Sequence, residues 1–464
     1  MKMNIKTTTS PRAQGSVLLI ALILCAIMGI TLASYLVMAT TEEKTVRRSQ
    51  VWNGSLAYGE AGVEDALAHL NSPSGFSGVL ASDGWTLQAD GSFSVTRNLD
   101  NGYYTVSITL PTGQFPVITS QGFAQLNLVS LTLGTPMFAA VGVQQSGPVY
   151  SSRKILVNTK LDALLSVAMA AKQNINLSGN NVSSDSFDST DPAYSTNGLY
   201  TSSRTKANGD IVTDDTIVNT FNVGNANIKG IIRTGPKGSP AVGPNASVGD
   251  AAWVNAGTKG IEPGHFFDDM NVNWPDVALP AATYLPPTVA NTNINGVNYK
   301  YYLTSGNYQI SDFTGSVYVD GNAVVYVPPA GTLKLSGQDQ IYIAPSPIPG
   351  LQTKSMKLFV GAATATLGGQ GVINATGNAL DFMYYGLPSN TALNFSANAA
   401  FVGSIYCPNA AFTLGGGGNN NYDFVGASVS QTVKMNGNFF FHYDENLRRV
   451  GPGRGYVATS WKEL

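Results

Sequence analysis

The strongest pattern in this chain is an uncharged run, Val17 to Ala39, that passes without a break into a second, two-faced pattern. Twenty-three residues without a charge make a helix of about 35 Å, enough to cross a bilayer core. Beyond Ala39, apolar residues continue at Val46, Trp52, Leu56, Val63, Ala66, Leu67 and Leu70. Glu42, Lys44, Arg47, Arg48, Glu60, Glu64 and Asp65 lie between them. This three-to-four spacing predicts an amphipathic stem that prolongs the same helix. Asn71-Ser72-Pro73-Ser74-Gly75 ends it. The rod over 16–70 is about 80 Å long. Gly54, Gly59 and Gly62 weaken it locally and allow either a bend or a close approach to a partner surface.

After the stem the period changes from 3.6 to 2. Trp85-Thr86-Leu87-Gln88, Ser92 to Thr96, Tyr103 to Leu110, Val117 to Ser120 and Leu126 to Leu133 predict a small antiparallel sheet, with a hairpin at Asp100-Asn101-Gly102. From about 145 onward, short β-rich runs alternate with Gly-Asn or Ser-Gly turns. Examples are Asn174 to Asn180, Gly315 to Asn322, Gly331 to Gly337, Gly371 to Asn374 and Phe401 to Tyr406. Their spacing is irregular, so no strict repeat is established. Strand, sharp turn and strand with few helical interludes predicts a parallel β-solenoid-like domain, with a β-sandwich as the alternative. Residues 185–209 and 234–260 are polar and read as loops, and 274–289, with four prolines, reads as an extended strap. The expected organisation is therefore a basic leader (1–15), a transmembrane helix (16–39), a stem (40–71), a small antiparallel domain (76–135), a β-solenoid-like domain (145–447) and a tail (448–464).

Composition sharpens this picture. Of 464 residues only 12% are charged, whereas 43% are hydrophobic and 50 are glycine. Such a chain is not disordered, and it suits many short strands joined by tight turns. A net charge of −2 offers no basic surface for nucleic acid. The two cysteines, Cys25 and Cys407, are too differently placed to suggest a disulfide framework.

The apolar run admits three readings. It can be a secretory signal cut after Ala33 or Ala39, a plain anchor, or a leader cut after Gly15 so that the helix stays attached. Lys2, Lys6 and Arg12 before the run balance Lys44, Arg47 and Arg48 after it, so flanking charge does not set orientation. The large low-charge domain downstream favours an internal amino terminus. The continuing stem favours the third reading, because a signal peptide has no need of one.

Gln14-Gly15-Ser16-Val17-Leu18-Leu19-Ile20, Thr40-Thr41-Glu42-Glu43-Lys44 and Tyr58-Gly59-Glu60-Ala61-Gly62-Val63-Glu64-Asp65 together resemble the amino-terminal region of PilX-type minor pilins over about residues 10–72. The resemblance implies cutting between Gly15 and Ser16 by a prepilin peptidase, N-methylation of Ser16, and partnership with the inner membrane and with other pilins or pseudopilins. Major pilins carry a glutamate five residues after the cut, where this chain has Ile20. A buried charge needs a partner at bilayer depth, and its absence points to a minor or tip-type subunit. Phe441 to Leu447, Tyr406 to Ala410 and Trp461 to Leu464 resemble an uncharacterised bacterial surface domain fused to such stems, which implies a fold and no activity.

Chemistry is sparse. Asp185, Asp188 and Asp191 stand every third residue and could give oxygens to calcium, or could simply make Asx turns. His265 and His442 each neighbour acids, but zinc needs three or four ligands. Asp320, Asp339, Asp381 and Asp423 stand singly, where a glycosidase needs a pair. Gly415 to Gly418 lacks the lysine of a phosphate loop, and Cys407 has no activating neighbour in sequence. Tyr301, Tyr302, Tyr384 and Tyr385 are candidate contact residues. No cofactor is implied. The function expected is that of a non-enzymatic, minor pilin-like protein of a type IV pilus or pseudopilus. It would be held in the membrane by one span, displaying an extracytoplasmic β domain for adhesion or tip capping toward a surface ligand. The alternative is a membrane-tethered polysaccharide hydrolase or lyase.

Overall fold

The computed structural model describes residues 13–72, 83–111, 115–126, 149–179, 181–345, 354–396, 400–415 and 422–464. They form two compact units, one from the amino-terminal region through Lys160 with Tyr456–Leu464, the other Leu161–Gly455.

In the first unit a single helix, Ala13–Leu70, runs for 58 residues, about 87 Å at helical rise. No proline interrupts it, and it stops where Asn71 and Ser72 fold back onto the carbonyls of Leu67 and His69. Its second half lies on a six-stranded sheet ordered Thr86–Leu87, Phe93–Leu99, Gly102–Thr109, Val117–Leu126, Val149–Ala163 and Gly453–Glu463. The expected hairpin is present, with Leu99 opposite Gly102. Val63, Ala66 and Leu70 of the helix bury against Val106, Ile108, Ile118, Ile155 and Val157 of the sheet. Two strands of this sheet come from outside the segment expected for it. The sequence pattern assigns Val149–Ala163 to the start of the solenoid-like domain and Gly453–Glu463 to the tail, whereas both pair within the first sheet. The further strand expected to Leu133 falls on 127–133, outside the described residues.

Glycine decides how closely helix and sheet approach. A Cβ on Gly122 would lie 2.2 Å from the Ser55 carbonyl oxygen and 2.3 Å from the Gly59 nitrogen. One on Gly59 would lie 2.9 Å from Ile155, and one on Gly62 2.3 Å from the Ser120 hydroxyl. Gly59 and Gly62 therefore serve close packing, and the helix continues through them.

The second unit is solenoid-like, with three parallel faces that the chain visits in constant order. The first face stacks Gly306–Gln309, Asn322–Val327, Ser355–Val360 and Phe382–Gly386 beneath the front halves of Phe401–Leu414 and Tyr422–Met435. The second stacks Asp312–Phe313, Thr332–Leu335, Thr364–Leu367 and Ala392–Phe395 beneath their back halves. The third begins with Val297–Leu303, Ser316–Val319, Gln340–Ile343 and Gly371–Asn374. Inward side chains fill the interior, among them Phe401, Phe424 and Phe441, stacked at 4.4 and 4.3 Å.

Stacking order differs from chain order. The coil that ends the chain's path, Tyr422–Met435 and Phe439–Asp444, pairs in parallel with the coil that begins it, Met169–Ala171, Ile175–Asn176 and Ser183–Phe187. From there the stack continues through Ile211–Thr213, Val218–Gly224, Asn227–Lys229 and Ile232–Arg233 to Ser239–Val242 and Phe266–Phe267. Along the axis the order is 289–444 and then 169–267, so the chain enters and leaves at the middle of its own stack. The proline-rich segment closes the circuit as a strap. Val272 N donates to Asp214 at 3.1 Å, Tyr406 OH donates to the Pro275 carbonyl at 2.7 Å, and Leu285 pairs with Asn307 and Gln309. The polar segment 234–260, expected as loop, contains strands and a short helix, Ala251–Asn255, capped by Asp250.

The glycine seam gives paired expectations. Gly122→Ala must push backbone from backbone and should cost about 1–3 kcal/mol. Gly54→Ala, whose Cβ would meet Ala124 at 3.9 Å, should stabilise the helix by up to about 1 kcal/mol. Thermal or urea midpoints of the two variants check both signs.

Candidate functional site

Two regions concentrate what this chain can do. The first is the helix. Every described side chain from Val17 to Ala39 is exposed, and the most apolar 18-residue stretch has a mean hydropathy of 2.7 with none of it buried in the protein. Among the described residues this is the one helix long and apolar enough to cross a bilayer. Gly15 and Ser16 lie within it. Bare apolar surface on this scale is consistent with a single membrane anchor.

Where the stem meets the sheet, polar groups fix its rotation. Asp65 accepts from Arg97 Nε at 2.7 Å and from Tyr104 OH at 3.0 Å, and its other oxygen faces His69 Nε2 at 3.2 Å. Burial, reinforced by the Asp65 charge, pushes the Tyr104 hydroxyl up to about 12. At the stem's end, Asn71 bonds both backbone groups of Tyr456, tying the carboxy-terminal strand to the helix terminus.

The second region is the junction of the last coil with the first. Strand Ser183–Phe187 presents Asp185 to His442 on Phe439–Asp444, with Nδ1 to Oδ1 at 2.6 Å. The other ring nitrogen meets Asp423 at 3.2 Å, and the Tyr200 ring stacks on the imidazole at 3.6 Å. Burial disfavours the imidazolium, but the two carboxylates outweigh it and raise the His442 pKa. Burial and the same acids raise Tyr200. One turn on, Glu445 is wholly buried and accepts from Lys206 Nζ and Asn208 Nδ2 at 2.6 Å each, from Ser186 at 3.0 Å and from Arg448 at 3.3 Å.

Asp188 lies apart from Asp185. It takes the backbone and hydroxyl of Thr190 at 3.0 and 2.8 Å, and the Arg449 guanidinium at 2.5 Å. Burial opposes its charge, but Arg449 and Thr190 prevail and lower its pKa. Asp191 caps the Ala193 nitrogen at 2.8 Å in an Asx turn. The three aspartates thus serve three different partners. Among the described residues, no group of three or more His, Cys, Asp and Glu is placed to hold a metal ion.

The remaining candidates are dispersed. His265 faces Glu262 at 3.3 Å. Asp320 binds Lys354 and Tyr302, Asp339 caps Ser336, Asp381 binds Thr376, and Asp423 belongs to the junction. Each has its own partner. Cys407 is fully buried, and burial alone drives its thiol pKa far up, so it stays protonated. Tyr384 and Tyr301 are buried and Tyr385 stacks on Phe359, whereas Tyr302 is exposed. Of the glycine run at 415, positions 416–418 lie outside the described residues.

Nothing in the local sequence marks Lys206, Asn208, Tyr200 and Arg449 as junction residues. Their partners lie 237 to 261 residues away in the chain for Lys206, Asn208 and Arg449. The one available signal is scarcity. Where so few residues are charged, each ion near a core strand needs an opposite ion.

The junction sets a pH expectation. Because the folded state raises His442, its contribution is complete below about pH 6.5 and is lost as pH rises through the higher folded value. Urea midpoints should therefore fall between pH 6 and 9 in the natural chain and fall less in His442→Gln. Removing the imidazole strands Asp185, and His442→Ala should cost about 3 kcal/mol at pH 6.

A family described as a domain of unknown function (DUF7305) matches residues 287–450, the run of coils from the far end of the stack to the junction. No curated protein matches the chain. Among solved structures, the competence-associated pilin ComZ from Thermus thermophilus aligns over 90% of this chain and 97% of its own, at 10% identity and a TM-score of 0.21. A superposition that loose bears on neither fold nor function.

Proposed function

We propose that this chain is a pilin-like structural protein of a type IV pilus or related pseudopilus. One observation carries the reading. A single unbroken helix has a bare apolar first half and a second half locked by glycines and Asp65 onto an antiparallel sheet. A helix that only anchors a domain does not need its far half built into the fold. A subunit handed from membrane to filament does, because the same bare surface must meet lipid first and neighbouring apolar helices afterwards.

In this reading a prepilin peptidase cuts between Gly15 and Ser16 on the cytoplasmic side of the inner membrane, and Ser16 becomes the methylated amino terminus. Ile20, in place of an acid, leaves no charge at bilayer depth and suits a minor subunit. The β domain lies on the extracytoplasmic side and serves adhesion or capping. The hydrolase or lyase alternative has no observation in its favour, since the lone acids of the β domain each bind a different partner.

Sequencing the mature amino terminus tests the proposal. Ser16 is expected, with Gly15→Glu leaving the leader attached. A chain beginning at Ser34 or Thr40 would be a secreted protein, and an intact Met1 a plain anchor; either result overturns the pilin reading.

A further inference from the structure

The three faces of the solenoid-like unit are not dressed alike. The strap lies along the first, bonding Tyr406 and pairing with 307–309. The 188–209 loop reaches over the third, setting Tyr200 on His442 and Leu199 beside Gly377. The second face has no such cover from the described residues.

Its strands point Leu333, Ala365, Leu393, Phe412 and Val433 inward, all buried. Outward they carry two straight rows. One runs Thr332, Thr364, Ala392, Ala411, Thr432, and the other Lys334, Thr366, Asn394, Thr413, Lys434, held in register by the parallel pairing. The second row continues into Asn176 and Asn222 across the junction. Neighbours within a row stand about 4.8 Å apart and the rows about 6.6 Å apart. All ten side chains are exposed or half-buried. None of their side-chain polar groups has a hydrogen bond or ion pair with another described residue.

This face presents five threonine hydroxyls and one asparagine amide, each able to donate and accept, with Ala392 and Ala411 between them in the first row, all held by stacked backbone. It carries no carboxylate over these five rungs; Asp312, the rung before Thr332, is exposed and paired with Lys300 at 3.4 Å. Two lysines, Lys334 and Lys434, without an ion-pair partner among the described residues, stand four rungs apart, about 19 Å. Aromatic anchors of the kind a protein partner seats in pockets are missing. The cation density that a nucleic acid demands is missing as well. What fits is an extended chain with hydroxyls along its length and spaced negative charges.

We infer that the second face binds an acidic polysaccharide lying along the solenoid axis, with the Thr and Asn rows bonding its hydroxyls and Lys334 and Lys434 pairing with its carboxylates. This names the partner for the adhesive role proposed above and rests on that reading for its biological setting. The binding itself does not depend on it.

The full chain in nanodiscs should retain polygalacturonate and not dextran, with retention falling as salt is raised. Lys334→Gln with Lys434→Gln should weaken binding about tenfold and remove most of the salt dependence. Thr366→Val with Thr413→Val should weaken it comparably and leave the salt dependence intact. Lys357→Gln, an exposed lysine on the first face, should change nothing. Valine is at home on a strand surface, and unchanged thermal midpoints establish that the variants are folded. The inference is overturned if polygalacturonate is not retained, if dextran is retained equally, or if neither pair of substitutions weakens binding. A chain that binds polygalacturonate yet keeps Met1 overturns the pilin reading alone.

Discussion

The pairing of the last coil with the first is the constraint on which the β unit depends. A parallel stack leaves a row of unpaired backbone groups at each open end. Here the coil 422–444 would present such an edge in the middle of the finished structure, and so would 169–187. They satisfy each other, and that one junction turns two partial stacks into a single interior. The chain must then travel from the end of one run to the far end of the other, which requires the strap. Its entry and exit lie side by side at the junction, where Leu164 N bonds the Pro452 carbonyl, which lets the unit be inserted between strands Val149–Ala163 and Gly453–Glu463 of the first unit's sheet.

The same constraint accounts for where the charges sit. In a unit this poor in ions, His442, Glu445, Asp185, Asp188, Lys206 and Arg449 gather where the two coils meet. Backbone pairing alone would allow a slip of register along either strand, and a slip of one residue exchanges inward for outward side chains. Buried charge pairs tolerate no such slip, because each would lose its partner in low dielectric. The first and third faces are then covered by the strap and the 188–209 loop, and the second keeps its polar rows free of such cover from the described residues.

The stem obeys a different rule. Glycine lowers helix propensity, so three glycines within nine residues of a long helix look like a defect. Against the sheet two of them, Gly59 and Gly62, are what allows contact, because Gly122 brings strand backbone to within touching distance of helix backbone. The helix gives up propensity and gains the burial of Val63, Ala66 and Leu70.

By itself the sequence determined the local periods and the elements they imply. The uncharged run and the 3.6 spacing after it specify one rod, the alternation after 84 specifies a sheet, and the short apolar runs between Gly-Asn turns specify stacked strands. These are legible because each depends on residues within a few positions of one another. Tertiary structure alone decided that the carboxy terminus returns to the first sheet, that the stack is permuted, and that Asp185 and Asp188 meet His442 and Arg449 at the junction. The first two outcomes, and the partners of Asp185 and Asp188, turn on pairs more than two hundred residues apart. Their meeting is set by how backbone edges and buried ions are satisfied in three dimensions.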